Sequence, residues 1–185
     1  MLVLILAAAS AALGLRKKPT ITMPGVARTA HFAALLFGGL VAGLLVAVLF
    51  LELALRGVDA SVYTQVRHVE LGGLDVLASA TLPPALIATA VLVIANRTRG
   101  RTSRLMLTAL VLLMTAFAIS LLVNFPINTD QLTWAVEALP ADWAITRDRW
   151  QFSHVARTVA TVLALGCLCA AALQTSSSPM DAVRE

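Results

Sequence analysis

The chain has 185 residues, of which 59% are hydrophobic and only 13% charged, with a net charge of +4. A soluble domain carries about 25% charged residues, so this composition excludes an ordinary soluble protein and points to an all-α integral membrane protein of one domain. The basic residues lie between apolar segments and not on one face, which is the pattern of membrane topology and excludes a nucleic-acid partner.

Leu2 to Leu15 is apolar but shorter than the roughly 20 residues a spanning helix needs. Arg16-Lys17-Lys18 follows it and no basic stretch precedes it, so it lacks the layout of a cleaved signal peptide; whether it spans is left open. Residues 1–28 are read as this segment plus a basic linker, 29–174 as the membrane domain and 175–185 as a polar tail.

Phe32 to Leu55 is the first long span, with Gly39 and Gly43 as a small-residue packing face and Glu52 near its end. Arg56 to Gly73 reads as a polar connection holding a short helix from Val62 to Leu71, on which Tyr63, Arg67 and Glu70 share a face. Gly72-Gly73 interrupts it, and a second span runs from Leu74 to Ile94 with Pro83-Pro84 near its middle, where a proline pair removes backbone bonds. Arg97, Arg99, Arg101 and Arg104 form a loop without acids. The third span, Leu105 to Val123, ends at Asn124-Phe-Pro126-Ile-Asn128, where Pro126 is expected to stop the helix. Thr129 to Ala141 reads as a loop with a short amphipathic turn, and Asp142 caps the long last helix.

Eight basic residues (Arg16, Lys17, Lys18, Arg28 and the four from Arg97 to Arg104) lie in segments without acids, whereas the connections 52–75 and 125–153 hold eight acids against four arginines. This places the basic loops and the C-terminus in the cytoplasm and the segments 56–73 and 125–153 outside.

The most informative stretch is the last helix. Trp143, Arg147, Trp150, His154, Arg157 and Thr161 fall within an arc of about 80° at 100° per residue, a polar and aromatic stripe where a lipid-facing helix shows Leu and Val. Such a stripe must face protein or a wet cavity. Two classes of function fit it. In one, it lines a pocket for a flat aromatic or apolar molecule, with Trp143 and Trp150 as walls. In the other, the protein is a non-catalytic binding, transport or accessory protein, and the arginines are paired to Asp130, Glu137 or Glu70 without a cavity. A metal site of His68, His154 and Glu70 is a third, weaker reading, because their spacing demands no ion. Cys167 and Cys169 point about 200° apart on a helix and form no redox pair.

Asn124-x-Pro126-x-Asn128, followed by Trp143-x3-Arg147-x2-Trp150-x3-His154-x2-Arg157, resembles the signature of a family of small four-helix membrane proteins that includes the anthrone oxygenases. Gly39 and Tyr63-x3-Arg67-x2-Glu70 resemble its first half, so the likeness covers roughly residues 32–173. The resemblance implies oxidation of an anthrone to an anthraquinone by molecular oxygen without an organic cofactor. In this chain His154 would take the acidic proton, and Arg157 with Asn124 or Asn128 would stabilise the phenolate. Trp143, Arg147, Trp150, Tyr63, Arg67 and Glu70 would bind the substrate; a homo-oligomer is compatible with the pattern.

Overall fold

A computed structural model describes residues 23–96 and 100–176. The apolar segment Leu2–Leu15, the basic residues 16–18, Arg97, Arg99 and the tail after Ser176 lie outside the described residues. Four stretches are long and apolar enough to cross a membrane. Helix α1 is Met23–Ala54, α2 is Ala60–Ala95 and α3 is Arg101–Ile119. A π-turn at Ser120–Asn124 joins α3 to the short α4, Phe125–Gln131, and α5 is Trp143–Ser176. Among the described residues there is no strand beyond one isolated bridge between Ala135 and Ala138.

The helices run antiparallel in a ring, α1 beside α2, α2 beside α3, α3 beside α5 and α5 beside α1. Side chains fix the directions: Gln151 at the start of α5 reaches Glu52 at the end of α1, and Thr102 at the start of α3 reaches Gln174 at the end of α5 (3.0 Å). The bundle therefore has two unlike ends. One carries the short loops at 55–59 and 132–142; the other carries the connection at 96–100 and the outer ends of α1 and α5.

Three expectations about helix boundaries are corrected. Gly72 and Gly73 do not interrupt α2, and residues 60–73 are its first turns rather than a separate short helix in a polar connection. A glycine pair in a helix costs about 1 kcal/mol per residue, which the packing of neighbouring turns overrides. At 36 residues α2 is roughly 54 Å long at 1.5 Å per residue, well beyond a hydrocarbon core of about 30 Å. Nor does Pro126 stop the third span. The Phe125 N–H bonds the Ser120 carbonyl, and this wider turn makes room for a residue that lacks an N–H and would crowd the carbonyl four positions back. The chain then stays helical to Gln131. The first helix also begins before Phe32.

The core of the half away from the short loops is apolar, built from small and branched residues such as Ala34, Val41, Ala85, Leu113, Ala164 and Leu168. Close approach here rests on alanines and on Gly38, where an added methyl would meet Leu165 and Leu168 at 3.8 Å. A methyl placed at Gly39 or Gly43 would meet nothing within 4 Å, so those glycines are not the packing face expected of them. They lie on the side of α1 turned away from its neighbours.

Candidate functional site

The end with the short loops holds most of the buried polar side chains of the bundle. Its centre is Arg67, which is 2% exposed. Its Nε donates to Gln131 Oε1 (2.9 Å) and its Nη2 to Asn128 Oδ1 (2.8 Å). Its Nη1 pairs with Glu70 and lies 3.4 Å from Glu52 Oε1. The guanidinium also covers the Trp150 indole at 3.9 Å from the ring centre. Arg67 thus ties α2 to α1, α4 and α5 at once.

Asn128 passes this cluster on to Asp75. Its Oδ1 accepts from Arg67 and from Trp150 Nε1 (2.7 Å), and its Nδ2 donates to Asp75 Oδ1 (3.2 Å). Two donors on one side and a carboxylate on the other settle the orientation of the amide. His68 reaches the Gln131 carbonyl (3.1 Å) and Tyr63 the Gln131 side chain (3.4 Å), which fastens the end of α4.

The stripe on α5 faces inward: Trp150, His154, Arg157 and Thr161 are buried. His154 stacks on Trp150 with ring centres 4.8 Å apart. Its Nε2 lies 2.9 Å from the Leu45 carbonyl, so that nitrogen carries the proton and donates it. Its Nδ1 accepts from Arg157 Nε (3.1 Å) and Nη2 (2.8 Å). Both imidazole nitrogens are therefore used, and no lone pair is left to take a proton from a substrate. In this arrangement His154 holds Arg157. Arg157 Nη1 also donates to Ser120 Oγ (3.2 Å). No carboxylate forms an ion pair with Arg157 among the described residues; Glu70, one of the partners expected for it, belongs to Arg67, as does Glu52.

Arg157 lines a cavity of about 160 Å³ between α2 and α3. Leu45, Leu82, Pro83, Phe117 and Leu121 supply apolar walls, and Asp75, Asn124, Asn128, Ser79 and Ser120 supply polar groups. Pro83 and Pro84 lack the N–H groups that would bond the Ser79 and Ala80 carbonyls, so this stretch of α2 is polar at the backbone too. Exposed Leu121 and Phe125 flank the opening, which lies in the loosest seam of the ring. Asn124 Nδ2 donates to Ser153 Oγ (2.9 Å), whose own hydrogen goes to the Trp150 carbonyl (2.7 Å). The buried Asn124 Oδ1 is left without a donor. Two smaller spaces adjoin. One of about 30 Å³ touches Arg67, Glu70, Asp75, His154 and Arg157; one of about 80 Å³ lies between α1 and α5 beside Glu52, Arg56 and Gln151.

The structure therefore brings Asn124, Asn128 and Arg157 to the cavity, and gathers Tyr63, Arg67, Glu70, Trp150 and His154 in the paired layer above it. Trp143 and Arg147 do not line the cavity. Trp143 packs on Tyr63 (5.8 Å between ring centres), while Arg147 pairs with Asp148 and covers Trp143. The reading of Trp143 and Trp150 as cavity walls is thus replaced by walls from α2 and α3: the indoles are used in packing and in stacking under Arg67. His68, His154 and Glu70 do not converge, and no group of three or more His, Cys, Asp or Glu suited to a metal occurs among the described residues. Asp75 is the residue that sequence reasoning missed. Once α2 is continuous, Asp75 falls about 80° round from Arg67, and the apparent break at Gly72-Gly73 hides that relation.

A family model described as anthrone oxygenase matches residues 75–167. That stretch holds Asp75, Asn124, Asn128, His154 and Arg157, and leaves out the first half of the Arg67 cluster. No curated protein and no solved structure matches the chain.

Proposed function

Because the chain belongs to the anthrone oxygenase family, we propose that it oxidises a flat phenolic ketone of the anthrone type at its activated methylene, with molecular oxygen and no organic cofactor. The observation that carries this reading is a buried arginine without a carboxylate partner at the wall of an apolar cavity that also holds a carboxylate, Asp75. An apolar cavity of about 150 Å³ takes a molecule the size of benzene. The cavity therefore receives the reacting ring, and the remaining rings extend through the mouth between α2 and α3 toward lipid.

In this scheme Asp75 takes a proton from the methylene carbon, and the electron pair left behind spreads to the carbonyl oxygen. Arg157, held by His154, meets that developing oxyanion with a fixed positive charge. The Asn124 Oδ1 accepts the phenol hydroxyl. The anion passes one electron to oxygen, and the radical pair closes a C–O bond to a peroxide, which takes up the proton from Asp75. Removal of the second methylene hydrogen with O–O cleavage gives the new carbonyl and hydroxide, which leaves as water. The apolar walls keep bulk water from quenching the anion.

The charge pattern supports placing the cavity in the extracytoplasmic half, with the C-terminus in the cytoplasm. The experiment is quinone formation from an anthrone by the purified protein in lipid nanodiscs. Asp75→Asn is expected to lower turnover by about 10²–10⁴-fold, the usual range for a general base, with thermal stability nearly unchanged. Full activity in that variant removes Asp75 from the chemistry, and a wild-type protein that converts no anthrone removes the reading altogether.

A further inference from the structure

The cluster around Arg67 holds two carboxylates and one cation. Glu52 reaches it from α1 and Glu70 from α2; they are 1% and 4% exposed, and both meet the same guanidinium nitrogen, Arg67 Nη1. Glu52 Oε2 accepts from Gln151 Nε2 (2.8 Å). The other oxygen of each acid, Oε1, is buried without a hydrogen-bond donor, and both carboxyl groups crowd round the one Arg67 nitrogen, within 3.4 Å of it.

The remaining charged and titratable neighbours do not complete the balance. Arg56 directs its Nε to Gln151 (2.8 Å) and its Nη2 to Asp148, half-exposed. Arg157 is engaged with His154 and Ser120. His154 donates to a backbone carbonyl, and the Tyr63 hydroxyl accepts from Gln131. Two ionised carboxylates in contact only repel, since neither has a hydrogen to give, and an unpaired buried charge is strongly disfavoured. A single proton between them turns two orphaned acceptors into a donor and an acceptor, and makes the triad of Glu52, Arg67 and Glu70 neutral.

We propose that Glu52 and Glu70 share one proton at neutral pH, forming a buried acid pair that exchanges its proton with the cavity. The space of about 30 Å³ beside Glu70 also touches Asp75, and it has room for about one or two water molecules. Water in that space then gives the shared proton a path to the carboxylate in the cavity. This second role rests on the proposed oxygenase chemistry; the shared proton itself does not.

Infrared spectroscopy of the full chain in lipid vesicles at neutral pH tests it. The wild type is expected to show a protonated-carboxyl band that shifts in heavy water. The band disappears in both Glu52→Gln and Glu70→Gln and stays in Asp75→Asn. A wild type without the band overturns the proposal, and this result needs no variant to fold. A band kept by either glutamine variant, or lost in Asp75→Asn, overturns it as well. A band of the expected behaviour in a protein that turns over no anthrone leaves the acid pair standing and removes the oxygenase reading.

Discussion

The two halves of this bundle are made by the same four long helices and held together in different ways. Toward the connection at 96–100, alanines and leucines interlock and no buried acid is present among the core residues. In a bilayer such packing draws little on the hydrophobic effect, because lipid tails are as apolar as leucine; shape and close contact decide it. Toward the short loops, Arg67, Asn128, Gln131, Trp150 and Gln151 cross-link α1, α2, α4 and α5 by directed bonds. The first half tolerates changes that preserve volume. The second has almost no tolerance in its paired layer, and it leaves unpaired only the groups that border the cavity or the acid pair. That contrast separates polar residues that build the site from polar residues held ready for a ligand.

The sharpest way to break the comparison is Arg67→Ala. It strands Glu52, Glu70, Asn128 and Gln131 together, and losing one partner of a buried ion pair costs about 3–5 kcal/mol. Thermal unfolding in detergent is expected to show a large loss of stability or no folded protein; a mild shift would mean the cluster is wet. A smaller effect is expected in the apolar half from Ala164→Leu, a fully buried position, where overpacking costs about 1–3 kcal/mol. Anthrone turnover per folded molecule should be retained there, since the cavity lies elsewhere. Arg147→Ala should do least. Its pair with half-exposed Asp148 is of the kind worth less than about 1 kcal/mol, and neither melting temperature nor turnover should move much. A strong loss of activity in that variant would return Arg147 to the site.

Much of the site was legible because the arginine and histidine stripe on α5 breaks the rule for lipid-facing helices, and so had to face inward, as it does. The roles within the stripe were not legible. His154 reads as a base from its residue type, yet the Leu45 carbonyl and Arg157 occupy both its nitrogens; Arg157 is one turn away on the same helix, but the Leu45 carbonyl belongs to α1, and its distance does not follow from spacing along α5. Asp75 was hidden behind Gly72-Gly73, whose local cost argues for a break that neighbouring helices repair. Trp143 and Trp150 share a face with His154, but which of them reaches a cavity depends on the height of α2 and α3 beside them.

The amino-acid order alone determined a membrane bundle of four long helices with one polar, inward-turned face, because hydropathy and the 3.6-residue period act within each helix and need no partner. Only the packed structure decided where the cavity opens, that the buried Arg157 has no ion pair with a carboxylate and which two acids meet at Arg67. Those outcomes depend on how helices distant in the chain are staggered against one another. That stagger is set by the joint fit of all their side chains, a quantity no single segment carries.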